Sequence, residues 1–371
     1  MRPPRSLYVH IPFCRRICPY CDFPKVLAST GFQDRYVAAL LDEDRGYAGL
    51  AFDTIYLGGG TPSCLTAEQL SRIVGTLTQR HGRAQEMTIE CNPEDVTKES
   101  ARLLRALGFN RISLGVQTVD DRTLTLLGRG HDRERAEEAI AHLRAAGLEN
   151  ISCDFIYGLP GEGEDQVRAD LDWVGRMDLP HVSFYSLQLE PHTAFFNRGV
   201  AEPSQDVFER DYALICRRLE AAGLLRYEIS NFARPGFESQ HNLCYWHGDA
   251  YAAIGYGASS YVDGVRAVRT RNMADYLAGR FIYREEREDL REQEFDYLMC
   301  NLRLVRGFSL PDYAQRFHRD FRQAYADKIK ILGDMLEFSA DRVRVRPADL
   351  YILDSVLVDL LDFESIAGKE G

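Results

Sequence analysis

The 371-residue chain has no uninterrupted apolar run of the about 18 residues a membrane-spanning helix needs, so no membrane span is expected. Its first residues, MRPPRSLYVHIPF, carry basic side chains but neither an apolar segment nor a small-residue cleavage site, so no secretory leader is expected. Excess positive charge is also lacking: the formal net charge is −11, and arginine greatly outnumbers lysine. That balance excludes nucleic-acid binding driven by a broad basic field and leaves only individual arginine anion sites. An even cysteine framework is missing too. Nine cysteines, three of them clustered, fit a reducing, cytoplasmic setting rather than a disulfide scaffold. There is no long linker, low-complexity tract or exact repeat. With 45% hydrophobic residues, the chain has enough apolar material for one large domain and a smaller attachment.

The clustered cysteines are Cys14, Cys18 and Cys21, in HIPFCRRICPYCDF, with Phe13, Tyr20 and Phe23 interleaved. Three thiolates spaced C-x3-C-x2-C can hold three irons of a [4Fe–4S] cube and leave the fourth iron open. The ligand most associated with that spacing is S-adenosyl-L-methionine (SAM), whose sulfonium is cleaved by one electron to give a carbon radical without oxygen. A zinc site would want a fourth ligand close by, and none follows the C-x2-C step; His10 lies upstream in a strand-like run without a paired ligand.

Strand and helix signals alternate from the start. SLYVHIPF, DTIYLGGG, MTIECNP, RISLGVQ, ISCDFIYGLPG and HVSFYSLQLEP read as strands. The intervening segments read as helices, near 31–47, from a Thr66-x-x-Gln69 capping box, from about Thr97 to Gly108, over 120–127 and 133–146, and near 165–177. Six such units predict a partial (β/α)6 TIM-type barrel, with chemistry at the C-terminal ends of its strands. The cysteine loop, Gly58–Gly60, Glu90, Gln117 and Asp154 all fall at or near those ends. Expected boundaries are a barrel domain over 1–235, a connecting segment over 236–283, and a small, mainly helical, winged-helix-like domain over 284–371. In the last, REEREDLREQE is expected to open a helix with a solvated charged face, and 342–346 to contribute to a hairpin.

Several residues have chemistry suited to a ligand. The glycine turn running into Thr61 lets a ligand approach the backbone, where carbonyls could take up the SAM amino group. Glu90 and Asp154 suit ribose hydroxyls or a cationic group, and Arg129 suits a carboxylate. The scattered Cys64, Cys91, Cys153, Cys216 and Cys300 read as small buried hydrophobes. His241, in HNLCYW, has the nitrogen of an axial heme ligand, with Tyr245 and Trp246 as flat apolar surface and Cys244 as an alternative thiolate. The plainer reading is a hydrogen-bonded histidine with aromatics in the core.

Taken in order, LYVHIPFCRRICPYCDF, YLGGGTPS, TIECNPED, RISLGVQT, LLGRGH, DFIYGLPG and HNLCYW resemble the HemW branch of radical SAM proteins over nearly the whole chain. The resemblance implies the half-barrel with its C-terminal domain, a cluster on the three cysteines, and a SAM region formed by Tyr8, Tyr20, Gly59, Gly60, Thr61, Glu90, Gln117, Arg129 and Asp154. It implies His241 as a heme contact, and heme and heme-acceptor proteins as partners. It leans toward heme carriage rather than enzymatic turnover, with an electron donor needed wherever the cluster is reduced. The neighbouring branch, oxygen-independent coproporphyrinogen III oxidase, has a further cysteine where this chain has Phe23, and a longer segment before the first strand. A radical oxidoreductase of that kind is the alternative expectation.

Overall fold

A computed structural model describes residues 3–361. Its centre is six parallel strands laid side by side in chain order: β1 (Ser6–Ile11), β2 (Thr54–Gly59), β3 (Glu86–Cys91), β4 (Arg111–Gln117), β5 (Ile151–Tyr157) and β6 (His181–Ser186). Alternation along β1 shows how each strand serves two faces. Leu7, Val9 and Ile11 are fully buried in the main apolar core, while Tyr8 and His10 belong to the polar side of the sheet.

The crossovers are helices α1 (Thr30–Glu43), α2 (Ala67–His81), α3 (Lys98–Leu107), α4 (Asp121–Leu126), α5 (Arg133–Ala145) and α6 (Glu164–Met177). The expected capping box opens α2: the Thr66 hydroxyl accepts from the Gln69 amide and the Gln69 side chain accepts from the Thr66 amide. Gly108 ends α3 in the left-handed conformation.

The sheet does not close. Beyond β6 it is extended by β8 (Asn231–Ala233) and then β7 (Leu225–Arg226), both antiparallel additions following α7 (Gln205–Ala221). Beyond β1 come β9 (Tyr251–Ile254), parallel to β1, and then antiparallel β10 (Ser259–Val262), β11 (Val265–Arg269) and β12 (Ile282–Arg287). The segment expected as a connector therefore carries three strands of the main sheet, preceded by helix α8 (Gln240–Trp246) on the HNLCYW run.

The charge run departs from expectation as well. Its first residues lie in β12, an edge strand exposed throughout, and the helix α9 (Leu290–Asn301) begins only after the Asp289 cap. Charged side chains on an edge strand block further pairing, so the same residues that suggest a solvated helix serve equally well there. A second apolar core, from Tyr297 to Leu361, gathers α9 and a three-stranded antiparallel sheet of β13 (Phe308–Ser309), β14 (Leu336–Phe338) and β15 (Arg342–Val345), ordered 13-15-14. The expected hairpin is the β14–β15 pair. No described helix is long and apolar enough to cross a membrane.

Candidate functional site

The loop after β1 is pinned at its base. Phe13–Cys14 pairs in parallel with Val26–Leu27, and the amides of Val26 and Ala28 donate to the carbonyls of Pro12 and Cys14 at 2.8 and 2.9 Å. His10 adds a tie: its Nε2 donates to the Pro24 carbonyl at 2.8 Å, which leaves Nδ1 to accept from the Tyr8 hydroxyl at 3.0 Å. Burial lowers the His10 pKa to about 4, so this neutral tautomer holds the loop.

Cys14, Cys18 and Cys21 all line one cavity of about 630 Å³ at the C-terminal mouth of the strands. No three described His, Cys, Asp or Glu side chains converge on a position for a single metal ion. Three thiols on one cavity suit a cube, which takes one thiolate per iron. Burial pushes the Cys14 and Cys21 thiols up, so a cationic iron site is what would draw them to thiolate.

A hydrogen-bonded bracket steadies two of the sulfurs. The Thr61 hydroxyl donates to Cys14 Sγ at 3.6 Å and accepts from Asn92 Nδ2 at 3.3 Å. Arg129 closes the chain, giving one nitrogen to Asn92 Oδ1 at 2.6 Å and the Gly115 carbonyl at 2.8 Å, and the other to Cys18 Sγ at 3.6 Å. Asn92 escaped the residue-by-residue reading, although it stands in the quoted TIECNPED run; its place next to Glu90 at a strand end was the available signal. Arg129 keeps a buried Nε without a partner, a donor left over for a ligand acceptor.

The glycines have a reason of their own. A Cβ at Gly60 would lie 2.7 Å from the Pro12 backbone, and one at Gly59 (φ +115°) would strike the His10 ring. At Gly115 it would meet Gln117, Arg129 and Asn92 together. The turn read as room for a ligand is first of all room for the cysteine loop, although Gly59 and Gly60 do line the cavity. Gln117 ends β4 with φ +71°, a left-handed conformation that a side chain adopts at some cost.

Glu90 and Asp154 face the same cavity, as do Gln117 and Tyr20. Glu90 accepts from the Tyr56 hydroxyl at 2.8 Å and the Gly59 amide at 3.0 Å. Burial nonetheless raises its pKa to about 7, with the Asp154 charge adding to the shift. Asp154 accepts from the hydroxyls of Ser113 at 2.6 Å and Ser183 at 2.7 Å.

Two expected site residues are not brought into this group. Tyr8 lies one layer away, between His10 and the ring of Tyr56. His241 is at the other end of the sheet. Its Nδ1 pairs with the hydroxyl of Thr54, the first residue of β2, at 2.7 Å, and its Nε2 with the Tyr245 hydroxyl at 2.7 Å. Its amide donates to Glu86, the first residue of β3, at 3.0 Å. The side chain is 1% exposed, and desolvation lowers its pKa to about 3. As placed, both ring nitrogens of His241 are hydrogen-bonded where α8 meets the strand starts, which matches the plainer of the two expectations, and the side chain does not line the cysteine cavity. Cys244 is buried and contacts the Ala250 carbonyl.

A run of parallel β/α units with three cysteines on the first loop and a glycine turn beneath them defines the radical SAM class. The profile of the Radical SAM superfamily matches residues 8–174. The solved structure of coproporphyrinogen III oxidase (HemN) from Escherichia coli superimposes with a TM-score of 0.84, covering 97% of this chain and 90% of that one at 22% identity, which speaks for the fold. Curated relatives carry the particular family. The chain is 37% identical to the heme chaperone HemW of Lactococcus lactis, over 94% of each chain. It is 34% identical to that of Bacillus subtilis, over 89% of this chain and 91% of the relative, and 36% identical to that of Escherichia coli K12, over 82% and 83%. The chain belongs to the HemW family of radical SAM proteins.

Proposed function

We propose that this protein is a heme chaperone: it carries a [4Fe–4S] cluster on Cys14, Cys18 and Cys21, binds SAM beside it, and passes heme to acceptor proteins in a reducing compartment. What carries the reading is end-to-end similarity to proteins named for heme chaperoning, in a chain whose three clustered thiols share one cavity wall. When bound, the cluster supplies an open iron and a single electron for the SAM sulfonium.

The chain's own residues do the positioning. Thr61, Asn92 and Arg129 hold the sulfurs of Cys14 and Cys18 in register. Glu90 carries a proton that it loses near neutral pH, so it can receive a ligand cation at the moment of ionisation. Asp154, already fed by serine hydroxyls, presents a prepared acceptor to ribose-type hydroxyls. Phe23, 62% exposed, lies on the cavity rim where the oxidase branch is expected to have its further cysteine. That substitution favours heme carriage over porphyrinogen oxidation.

The test is an anaerobic heme titration of cluster-reconstituted protein, followed by mixing with apomyoglobin as a probe acceptor. Equimolar uptake and then transfer, without decarboxylation of coproporphyrinogen III in the presence of SAM and reductant, is the expected result. Absence of specific heme uptake would sink the reading, and turnover of coproporphyrinogen would replace it with the oxidase.

A further inference from the structure

Below the cysteine mouth lies a cation that no protein acceptor claims. Arg111, the first residue of β4, is 2% exposed and lines the cavity. A guanidinium has five N–H donors and no acceptor. Its Nε is buried without a partner, and among the described residues its side chain makes hydrogen-bond contacts to His181 alone. That contact is poor. One Arg111 nitrogen lies 3.5 Å from Nδ1 and 3.4 Å from Nε2, nearly equidistant from both. Each of those ring nitrogens already has a better partner, Ser152 Oγ at 2.8 Å and the Tyr227 hydroxyl at 2.9 Å. An imidazole nitrogen offers one in-plane position, so the guanidinium lies across the ring face and its donors go undelivered.

The nearby carboxylates do not fill the gap. Glu90 is held by Tyr56 and Gly59, and Asp154 by Ser113 and Ser183. Arg111 acts on Glu90 at range, and its side-chain contacts among the described residues go to His181 and not to a carboxylate. A buried arginine without a carboxylate is an unfavourable arrangement for the free protein. Here it faces a cavity within the usual size of small-molecule sites.

We infer that Arg111 is the receptor for a carboxylate on the bound ligand. Resting on the heme reading above, that carboxylate is a propionate of the tetrapyrrole, taken by the planar fork that matches carboxylate geometry. Binding delivers the stranded donors and neutralises the charge. It also gives the floor of the cavity a role that requires no iron ligand from His241.

Equilibrium titrations of cluster-reconstituted wild-type protein, R111Q and R111K with heme, iron-free protoporphyrin IX, protoporphyrin dimethyl ester and SAM test this. Wild type is expected to bind protoporphyrin about tenfold to a hundredfold more tightly than the ester, the range of a charge-assisted hydrogen bond. R111Q should bring protoporphyrin down to the affinity of the ester while ester and SAM affinities stay put, and R111K should recover part of the difference. Equal binding of acid and ester by wild type would overturn the inference, and that comparison needs no variant to fold. Equal losses for acid and ester in R111Q would overturn it too. Loss of SAM in R111Q would assign the arginine to the methionyl carboxylate instead. If wild type takes up neither heme nor protoporphyrin, the heme reading itself fails and this inference goes with it.

Discussion

At the mouth of the half-barrel, the polar chain Asn92–Thr61 ends on a cysteine sulfur and Arg129 retains an unmet donor. At the floor, His241 spends both ring nitrogens and its amide on Thr54, Tyr245 and Glu86. Both regions use buried polar side chains, yet one is left with bonding capacity facing a cavity and the other is closed on itself. Residue type does not separate them; unspent hydrogen bonds do. Arg111 sharpens the point, because it belongs to the floor by position and to the open class by its stranded donors.

The contrast can be broken most severely at the sulfurs. Serine in place of Cys14, Cys18 or Cys21 is expected to abolish cluster assembly, read as iron and acid-labile sulfide per chain; full content in any of the three would remove that cysteine from the cluster. Arg129→Ala comes next. Taking its donors away from Asn92, Gly115 and Cys18 leaves buried acceptors unsatisfied, which should destabilise the fold by about 1–3 kcal/mol and loosen cluster retention, both measurable by denaturant unfolding and iron loss to a chelator.

On the floor, His241→Ala should lower stability by about 2–4 kcal/mol while heme uptake persists. A folded variant that has lost heme would make His241 itself a ligand contact. The acid side gives a finer version. The folded pKa of His241 is about 3 against 6.5 for the free group, so as pH falls below 6.5 the unfolded chain takes up the proton first. The stability that neutral burial protects is therefore present above pH 6.5 and lost as pH falls from there toward 3. His241→Ala should show a shallower acid loss than wild type over that window, and parallel curves would contradict it. Glu90 has the opposite sign, its raised pKa favouring the folded state on acidification, but it is common to both proteins and cancels.

The smallest expected effect is at the mouth. If Glu90 receives a cationic part of SAM, its ionisation near pH 7 should make SAM affinity rise by up to about tenfold between pH 6 and 8, and Glu90→Gln should flatten the profile. An identical slope in the variant would move the cation elsewhere.

Legibility in the sequence followed the same division. Strand ends could be read because apolar runs stop at glycines and carboxylates, and that placed the cysteines, Gly60, Glu90, Gln117 and Asp154 on one cavity, which Arg129 joins from the loop between α4 and α5. What resisted reading depended on long-range pairing. β9 to β12 join the sheet through β9, whose Tyr251 pairs with Ser6 at the far end of the chain, and nothing local in YAAI or IYREER declares that edge. The HNLCYW run shows the limit most clearly. Its residues suit heme iron, but only the register of α8 against the starts of β2 and β3 reveals that the imidazole is already bonded on both sides. Asn92 was hidden for a similar reason: an asparagine after a strand is an ordinary turn residue until Thr61 and Arg129 are found on either side of it.

The most direct test of the open mouth is electron paramagnetic resonance of the reduced, cluster-reconstituted protein, recorded before and after SAM is added. Three protein thiolates and an open iron predict a [4Fe–4S] signal that changes when SAM reaches that iron. A signal indifferent to SAM at saturating concentration would contradict the account.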